Sequence, residues 1–316
     1  MVTLRIVSRG SELALWQARH VQAALAAAGV AAAIEVVRTT GDRILDVPLS
    51  RIGDKGLFTK ELDAALLDGG ADVAVHSLKD VPTRLPEGLV LAAVGEREDP
   101  RDVVLLPGGA QGSLGTLPAG ARVGTSSLRR RAQLRAHRPD LEVEDLRGNL
   151  NTRLAKLDDG GYDAIVLAAA GVLRLGWGAR IAEHLDPPGW LPAVGQGALA
   201  IVARADRAEV LDRLRPLHHP ATAAATTAER TLLRALEGGC QVPIGALATV
   251  DGERLTLRAL VASLDGTRVV RAEETGTADE AEEVGLRAAA ALASRGGDEI
   301  LREVRAAALL PAPAAP

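Results

Sequence analysis

Aromatic residues are almost missing from this chain. Trp16, Trp177, Trp190, Tyr162 and Phe58 make up the whole Trp, Tyr and Phe content of 316 residues, so base stacking of the kind used by single-strand nucleic-acid binders is a poor expectation. Cysteine is limited to Cys240, which excludes an intramolecular disulfide. The N-terminal residues run into a strand-like segment without the apolar region of a signal peptide, and the expectation is a cytoplasmic protein. No apolar run approaches the ~18 residues of a membrane span, so no membrane partner is expected. A basic excess is lacking too: 37 Lys+Arg stand against 41 Asp+Glu, a net charge of −4. A nucleic-acid coat requires a cationic face, and no nucleic-acid partner is expected. Lysine is scarce (Lys55, Lys60, Lys79 and Lys156), which genome composition explains without any functional reading. There is no Walker A pattern, and Gly195-Gln196-Gly197 does not continue as a dinucleotide fingerprint. His218-His219 has no further ligand at metal spacing, so no metal is assigned.

What remains is 47% hydrophobic and 25% charged, the balance of a globular protein long enough for about two domains, with one or three also allowed. Short apolar runs alternate with segments of helical period, the pattern of an α/β sheet covered by helices. Strands are predicted at Leu4–Val7, Ile34–Val37, Asp72–Val75 and Leu89–Val94, with helices at Ser11–Ala28 and Phe58–Leu67. After a turn-rich loop from Pro107 to Pro118, the alternation begins again. Strands at Arg122–Gly124, Leu141–Val143 and Ala164–Leu167 enclose helices at Leu128–His137 and Leu150–Asp159. Pro187-Pro188-Gly189 and Pro192 mark a break, followed by a strand-like run at Gly197–Val202 whose pairing periodicity leaves open. A helix at Ala221–Leu236, strands at Ala246–Val250, Leu255–Val261 and Arg268–Ala272, and a helix near Ala281–Ala293 form a third, smaller α+β unit. The Ala/Pro-rich tail, Leu310–Pro316, is expected to be disordered.

Ligands of open α/β sheets sit beyond the carboxyl ends of the strands, and four such junctions are unusually polar. They are Ser8-Arg9-Gly10-Ser11, His76-Ser77-Leu78-Lys79-Asp80, Gly124-Thr125-Ser126-Ser127 running into Leu128-Arg129-Arg130-Arg131, and Leu146-Arg147-Gly148-Asn149 leading to Arg153. Hydroxyl residues at a helix start supply caps and free N–H groups that suit an anion, and arginines in the first turns can clamp a carboxylate or phosphate. Residues 122 to 153 hold eight arginines and four carboxylates. A solvated basic face explains such a run equally well, and three consecutive arginines cannot all point one way on a helix.

Single residues keep two readings at this stage. Asp80 is either a turn residue before Val81-Pro82 or a strand-end carboxylate placed to stabilise a cation or shuttle a proton. His76, ending an apolar run, reads as a structural histidine. Cys240 follows two glycines that end a helix, and a helix C-terminus does not activate a thiolate, which disfavours a cysteine hydrolase. It is either a buried inert thiol or a tether for a group that is itself strongly electrophilic.

Taken together, the polar junctions resemble the porphobilinogen deaminase (hydroxymethylbilane synthase) family. The matching stretches are SRGSELALWQA (8–18), GDKGLFTKELDAALLDGGADVAVHSLKDVPT (53–83), VGTSSLRRRAQL (123–134), DLRGNLNTRLAKL (145–157), LAAAGVLRLG (167–176), PAVGQGALAI (192–201) and ERTLLRALEGGCQVPIGA (229–246). The resemblance implies an enzyme of porphyrin and heme biosynthesis that condenses four porphobilinogen molecules head to tail, releasing four ammonia molecules and linear hydroxymethylbilane. It implies a dipyrromethane cofactor held by a thioether, here to Cys240, with Asp80 as the catalytic carboxylate. The cations that bind cofactor, substrate and growing oligopyrrole fall on Arg9, Lys55, Arg129, Arg130, Arg147, Arg153 and Arg174, with Ser11, Ser77, Lys79, Thr125, Ser126 and Ser127 as polar contacts. Phe58 either meets a pyrrole ring or packs in the core.

The chemistry suits these residue types. Each substrate carries an acetate and a propionate, so a lengthening chain needs an interior arginine cluster. Loss of ammonia leaves an azafulvene cation that a carboxylate can stabilise and that an unactivated thiol can attack. The implied fold is α/β: two periplasmic-binding-protein-like α/β domains, residues 1–97 with 198–217 and residues 101–194, plus a smaller C-terminal α+β domain, 219–308, bearing the cysteine loop. A monomer is expected. Departures are modest: Arg51 stands where many relatives have lysine, and the first motif reads SRGSEL rather than SRQSPL. The competing expectation, a non-catalytic two-lobed protein that binds small acids, would use the arginines but has no need of Asp80 or a free thiol.

Overall fold

The computed structural model describes residues 3–39, 59–237 and 242–309. Its first sheet has the strand order β2-β1-β3-β10-β4, built from β1 (Leu4–Arg9), β2 (Ala32–Val37), β3 (Val73–Ser77), β4 (Leu89–Val94) and β10 (Leu199–Arg204). The second has the order β7-β6-β8-β5-β9, from β5 (Asp102–Leu105), β6 (Arg122–Gly124), β7 (Glu142–Glu144), β8 (Ala164–Ala168) and β9 (Ile181–Leu185). The two sheets share one plan. In each, three parallel strands are followed by a fourth that runs antiparallel to both of its neighbours, β10 in the first and β5 in the second. Each of these follows a segment that crosses between the sheets, residues 95–101 before β5 and 186–198 before β10.

The helices are amphipathic in the way their sequences require. Helix α1 (Glu12–Ala27) starts where the Ser11 hydroxyl accepts from the Ala14 N–H, and it buries Gln17, Ala18, Val21 and Leu25. That spacing of three and four residues puts one stripe onto the sheet, against Ile6, Val73, Val75 and Ile201. A fully buried Leu or Ile of this kind contributes about 1.5–3 kcal/mol. Helix α2 (Lys60–Leu67) covers the other face through Leu62 and Leu66. On the second sheet lie α3 (Leu128–His137), α4 (Leu150–Asp158) and α5 (Ala169–Arg174). Helix α6 (Ala208–Leu214) follows β10. Helices α7 (Pro220–Ala235) and α8 (Ala281–Ser294) pack on a three-stranded antiparallel sheet of β11 (Ile244–Asp251), β12 (Arg254–Ala262) and β13 (Val269–Thr277). One core of Leu232, Leu255, Leu257, Val284 and Leu292 joins these layers.

The α/β class expected from the sequence is what the structure shows, with differences in detail. The alternation resumes earlier than periodicity indicated, because Asp102–Leu105 is already a strand. It was missed because four buried residues give no period of their own. Strand β9 and helices α5, α6 and α9 (Gly297–Leu309) were not anticipated either. Strand β3 runs to Ser77, so Leu78-Lys79-Asp80 forms a single 3-10 turn directly at its end. The tail from Leu310 lies outside the described residues, as do Lys55, Phe58 and Cys240. No helix among the described residues is long and apolar enough to cross a membrane.

Candidate active site

The two crossing segments are bonded to one another. Glu98 N–H donates to Gly197 O at 3.2 Å and Gly95 N–H to Leu199 O at 3.1 Å. Gly197 has φ +92°, and a Cβ there would lie 2.3 Å from Glu98 O, so only glycine fits this crossing. Arg97 makes a paired contact with the buried Glu229 carboxylate at 2.6 and 3.1 Å, and the same carboxylate accepts from Gly195 and Ala248 N–H groups. Helix α7, the crossing and β11 are thereby held at one point.

Beside this crossing opens a cavity of about 700 Å³. Its walls come from the ends of β1 and β3, the first turns of α1 and α4, and the Arg147-Gly148-Asn149 loop. The helix N-termini add partial positive charge. Gly148 turns the chain at φ +114°, and Asn149 then caps α4 by accepting from Thr152 N–H at 2.9 Å. Among the described residues the lining carries seven cations, Arg9, Arg38, Lys79, Arg130, Arg147, Arg153 and Arg174, and two carboxylates, Glu12 and Asp80. A protein of net charge −4 has collected a strongly cationic surface here.

Burial sharpens that field. It lowers the Lys79 ammonium to about 8, against the opposing pull of Asp80. It lowers Arg153 to about 10, with Arg130 and Arg147 adding repulsion, and Arg174 to about 10. Burial penalises the charged form of each of these cations, and an anionic ligand would favour it. Asp80 ends the turn after β3 and projects into this space.

Among the described residues anticipated from the sequence, Arg9, Ser11, Ser77, Lys79, Asp80, Arg130, Arg147, Arg153 and Arg174 line the cavity. Four others do not. Thr125 accepts from Ser127 N–H, Ser126 donates to Leu146 O, and Ser127 caps α3. Arg129 turns inward, donating to Asp102 at 2.6 Å and to Leu191 O at 2.8 Å. The three consecutive arginines do diverge: Arg131 points outward to Asp145. His76 is buried and neutral, its imidazole pushed down to about 4 by burial and by Arg9. His219 caps α7.

Two buried residues were missed, Gln196 on the cavity wall and Asp102 beneath it. Asp102 is fully buried and accepts from Arg129, Arg130, the Trp190 indole and Gln196. Burial alone would raise its carboxyl, but Arg129 and Arg130 hold it far below the usual range. Gln196 donates to Pro100 O and Asp102 and accepts from Lys79 Nζ at 3.4 Å. An acid beginning an apolar run and an amide between two glycines were the available signals. Arg38 was also missed, although it follows β2 just as Arg9 ends β1.

Two family models match the chain: one described as porphobilinogen deaminase, dipyromethane cofactor binding domain, over residues 4–212, and one described as porphobilinogen deaminase, C-terminal domain, over residues 223–294. A porphobilinogen deaminase of Moorella thermoacetica is 55% identical over 308 residues, covering 97% of this chain and 98% of that protein. That of Desulforudis audaxviator is 57% identical over 303 residues, covering 95% and 97%. Among solved structures, the periplasmic VFT2 domain of Bordetella pertussis BvgS aligns with a TM-score of 0.41 at 17% identity, over 68% of this chain and 86% of that one.

Proposed function

The chain belongs to the porphobilinogen deaminase family, transferases that make hydroxymethylbilane for tetrapyrrole biosynthesis, and we propose that Asp80 is the catalytic carboxylate of its arginine-lined cavity. The observation that carries this reading is the placement of the Asp80 carboxylate, at the end of β3, in a cavity whose described lining holds seven cations and one further carboxylate, Glu12. Loss of ammonia from porphobilinogen creates positive charge at the methylene carbon from which the amine departs. Asp80 stabilises that charge from a fixed position and accepts hydrogen bonds from pyrrole N–H. Lys79, Arg9, Arg130, Arg147, Arg153 and Arg174, with Ser11 and Ser77, bind the acetate and propionate groups.

The residues present fit a dipyrromethane. Its carboxylates suit the cationic wall of the cavity, and the buried Arg174 Nε has no partner among the described residues. When bound, the dipyrromethane supplies the pyrrole carbon to which substrate units add. Cys240, the only thiol, is the attachment point in this reading, with Lys55 as a further cation and Phe58 as a ring contact. Arg129, Thr125, Ser126 and Ser127 act beneath the cavity, holding α3 and Arg130 in place.

The same reading divides the chain into residues 1–97 with 198–217, residues 101–194, and residues 219–308, and makes it a cytoplasmic monomer that binds no nucleic acid. The two five-stranded sheets and the third, separate sheet support that division. The non-catalytic small-acid binder is not favoured by relatives that are deaminases over nearly the whole chain. Intact mass of purified protein tests the assignment: wild type is expected to carry two pyrrole units and Cys240→Ser none. An adduct persisting on Cys240→Ser, or wild type without one, overturns it.

A further inference from the structure

We propose that Trp16 is a positioning residue, whose indole face holds the Arg174 guanidinium against the cavity wall so that this cation meets a carboxylate of the growing chain. The inference rests on the reading of Arg174 as a chain-binding cation. The Arg174 Cζ lies 5.4 Å from the Trp16 ring centroid, within the range where the ring quadrupole attracts a cation.

The contact is built by one turn from each of two helices. Leu13 and Trp16 on α1 are three residues apart, as are Gly171 and Arg174 on α5, so each pair lies on one helix face. A Cβ on Gly171 would stand 3.7 Å from Leu13 Cδ2 and 2.9 Å from Leu150 Cδ1. The missing side chain makes room for Leu150 of α4, and with Leu13 at ordinary contact distance α5 lies against α1, so Trp16 and Arg174 meet one turn further on. His20 stacks on the same indole with centroids 5.1 Å apart and planes at 9°, which limits rotation of the ring.

The chemistry of the partners explains why an indole serves here. Arg129 and Arg130 share the single Asp102 carboxylate. Arg174 is also buried, yet among the described residues it makes no ion pair. It donates from Nη2 to Gly197 O at 2.7 Å, and Glu98 acts on it only at a distance. An aromatic face and a carbonyl hold a guanidinium in place while leaving its charge for a ligand. A carboxylate in the position of Trp16 would compete with the chain.

Steady-state kinetics of Trp16→Leu, Trp16→Phe, Arg174→Gln and the Trp16→Leu/Arg174→Gln pair test this. Trp16→Leu is expected to raise KM for porphobilinogen about fivefold to twentyfold, by a larger factor than kcat falls. Trp16→Phe, which keeps an aromatic face, should recover most of that loss. With Arg174→Gln already present, Trp16→Leu should add no more than about twofold, because the effect passes through Arg174. Equal effects of Trp16→Leu in both backgrounds, or no recovery with Trp16→Phe, overturn the role of Trp16 while leaving Arg174 as a chain-binding cation. A normal KM for Arg174→Gln overturns the reading of Arg174, and the role of Trp16 with it.

Discussion

Arg130, on the cavity wall, donates twice to the same oxygen of Asp102 beneath it, from Nη2 at 2.7 Å and from Nε at 3.1 Å. Arg129 takes the other oxygen at 2.6 Å. Asp102→Ala would leave two buried guanidinium groups without a counter-charge, a change that costs about 3–5 kcal/mol for a broken buried pair. The urea midpoint should fall accordingly, and the surviving folded protein should fail to elongate chains because Arg130 is no longer fixed. A variant of wild-type stability would show that the network carries no folding energy. Because the folded carboxyl titrates well below its unfolded value of about 3.9, its contribution is fully present above that pH and is lost as pH falls further. The Asp102→Ala variant should therefore lose less stability than wild type does between about pH 4 and pH 2.

On the proposed reading, Lys79 sets an alkaline limit to the reaction. Burial brings its ammonium to about 8, with Asp80 and Asp102 pulling it up and Arg130 and Arg129 pushing it down. Above that pH the free enzyme loses a cation needed by the substrate carboxylates, so kcat/KM should decline with a midpoint near 8. Lys79→Arg keeps the charge at all accessible pH values, and its decline should move upward by at least one pH unit. An unchanged alkaline limb in that variant would assign the titration to another group.

Asp80→Ala tests the chemical role directly. The residue is exposed to the cavity, and truncation there should change stability by no more than about 0.5 kcal/mol. Loss of a group that stabilises developing charge should reduce turnover about a hundredfold or more. Circular dichroism and single-turnover ammonia release separate the two effects. Near-normal release from a folded variant would remove Asp80 from the mechanism.

Much of this site was legible because strand ends are where an α/β sheet places its chemistry. Arg9, Ser77 to Asp80 and Arg147 each follow a strand that hydrophobic patterning locates within about two residues. Asp102, Gln196 and Glu229 were not legible in the same way. Each is buried among partners distant in sequence: Arg130 and Trp190 for Asp102, Lys79 and Pro100 for Gln196, Arg97 and Ala248 for Glu229. No local pattern records such pairings. Arg129 and Arg130 illustrate the limit, since neighbouring residues of one type divide between a buried brace and a cavity wall through the direction of one helical turn.

At Gly197 the two crossing segments are in direct backbone contact. Its φ of +92° already disfavours any residue with a side chain, at a cost of about 1–3 kcal/mol. In Gly197→Ala the new methyl would also collide with Glu98 O, pushing the segment before β5 away from the segment before β10. Gln196 and Arg174 both depend on that crossing, one through Pro100 O and the other through Gly197 O. The variant is therefore expected to lose thermal stability and to raise KM for porphobilinogen together, because the same displacement loosens the crossing and moves a cation on the cavity wall. A substitution at Gly29, where a Cβ meets nothing within 4 Å despite φ +77°, should show only the stability loss. If Gly197→Ala lowered the thermal midpoint but left KM at the wild-type value, the crossing would be a structural joint without influence on the site.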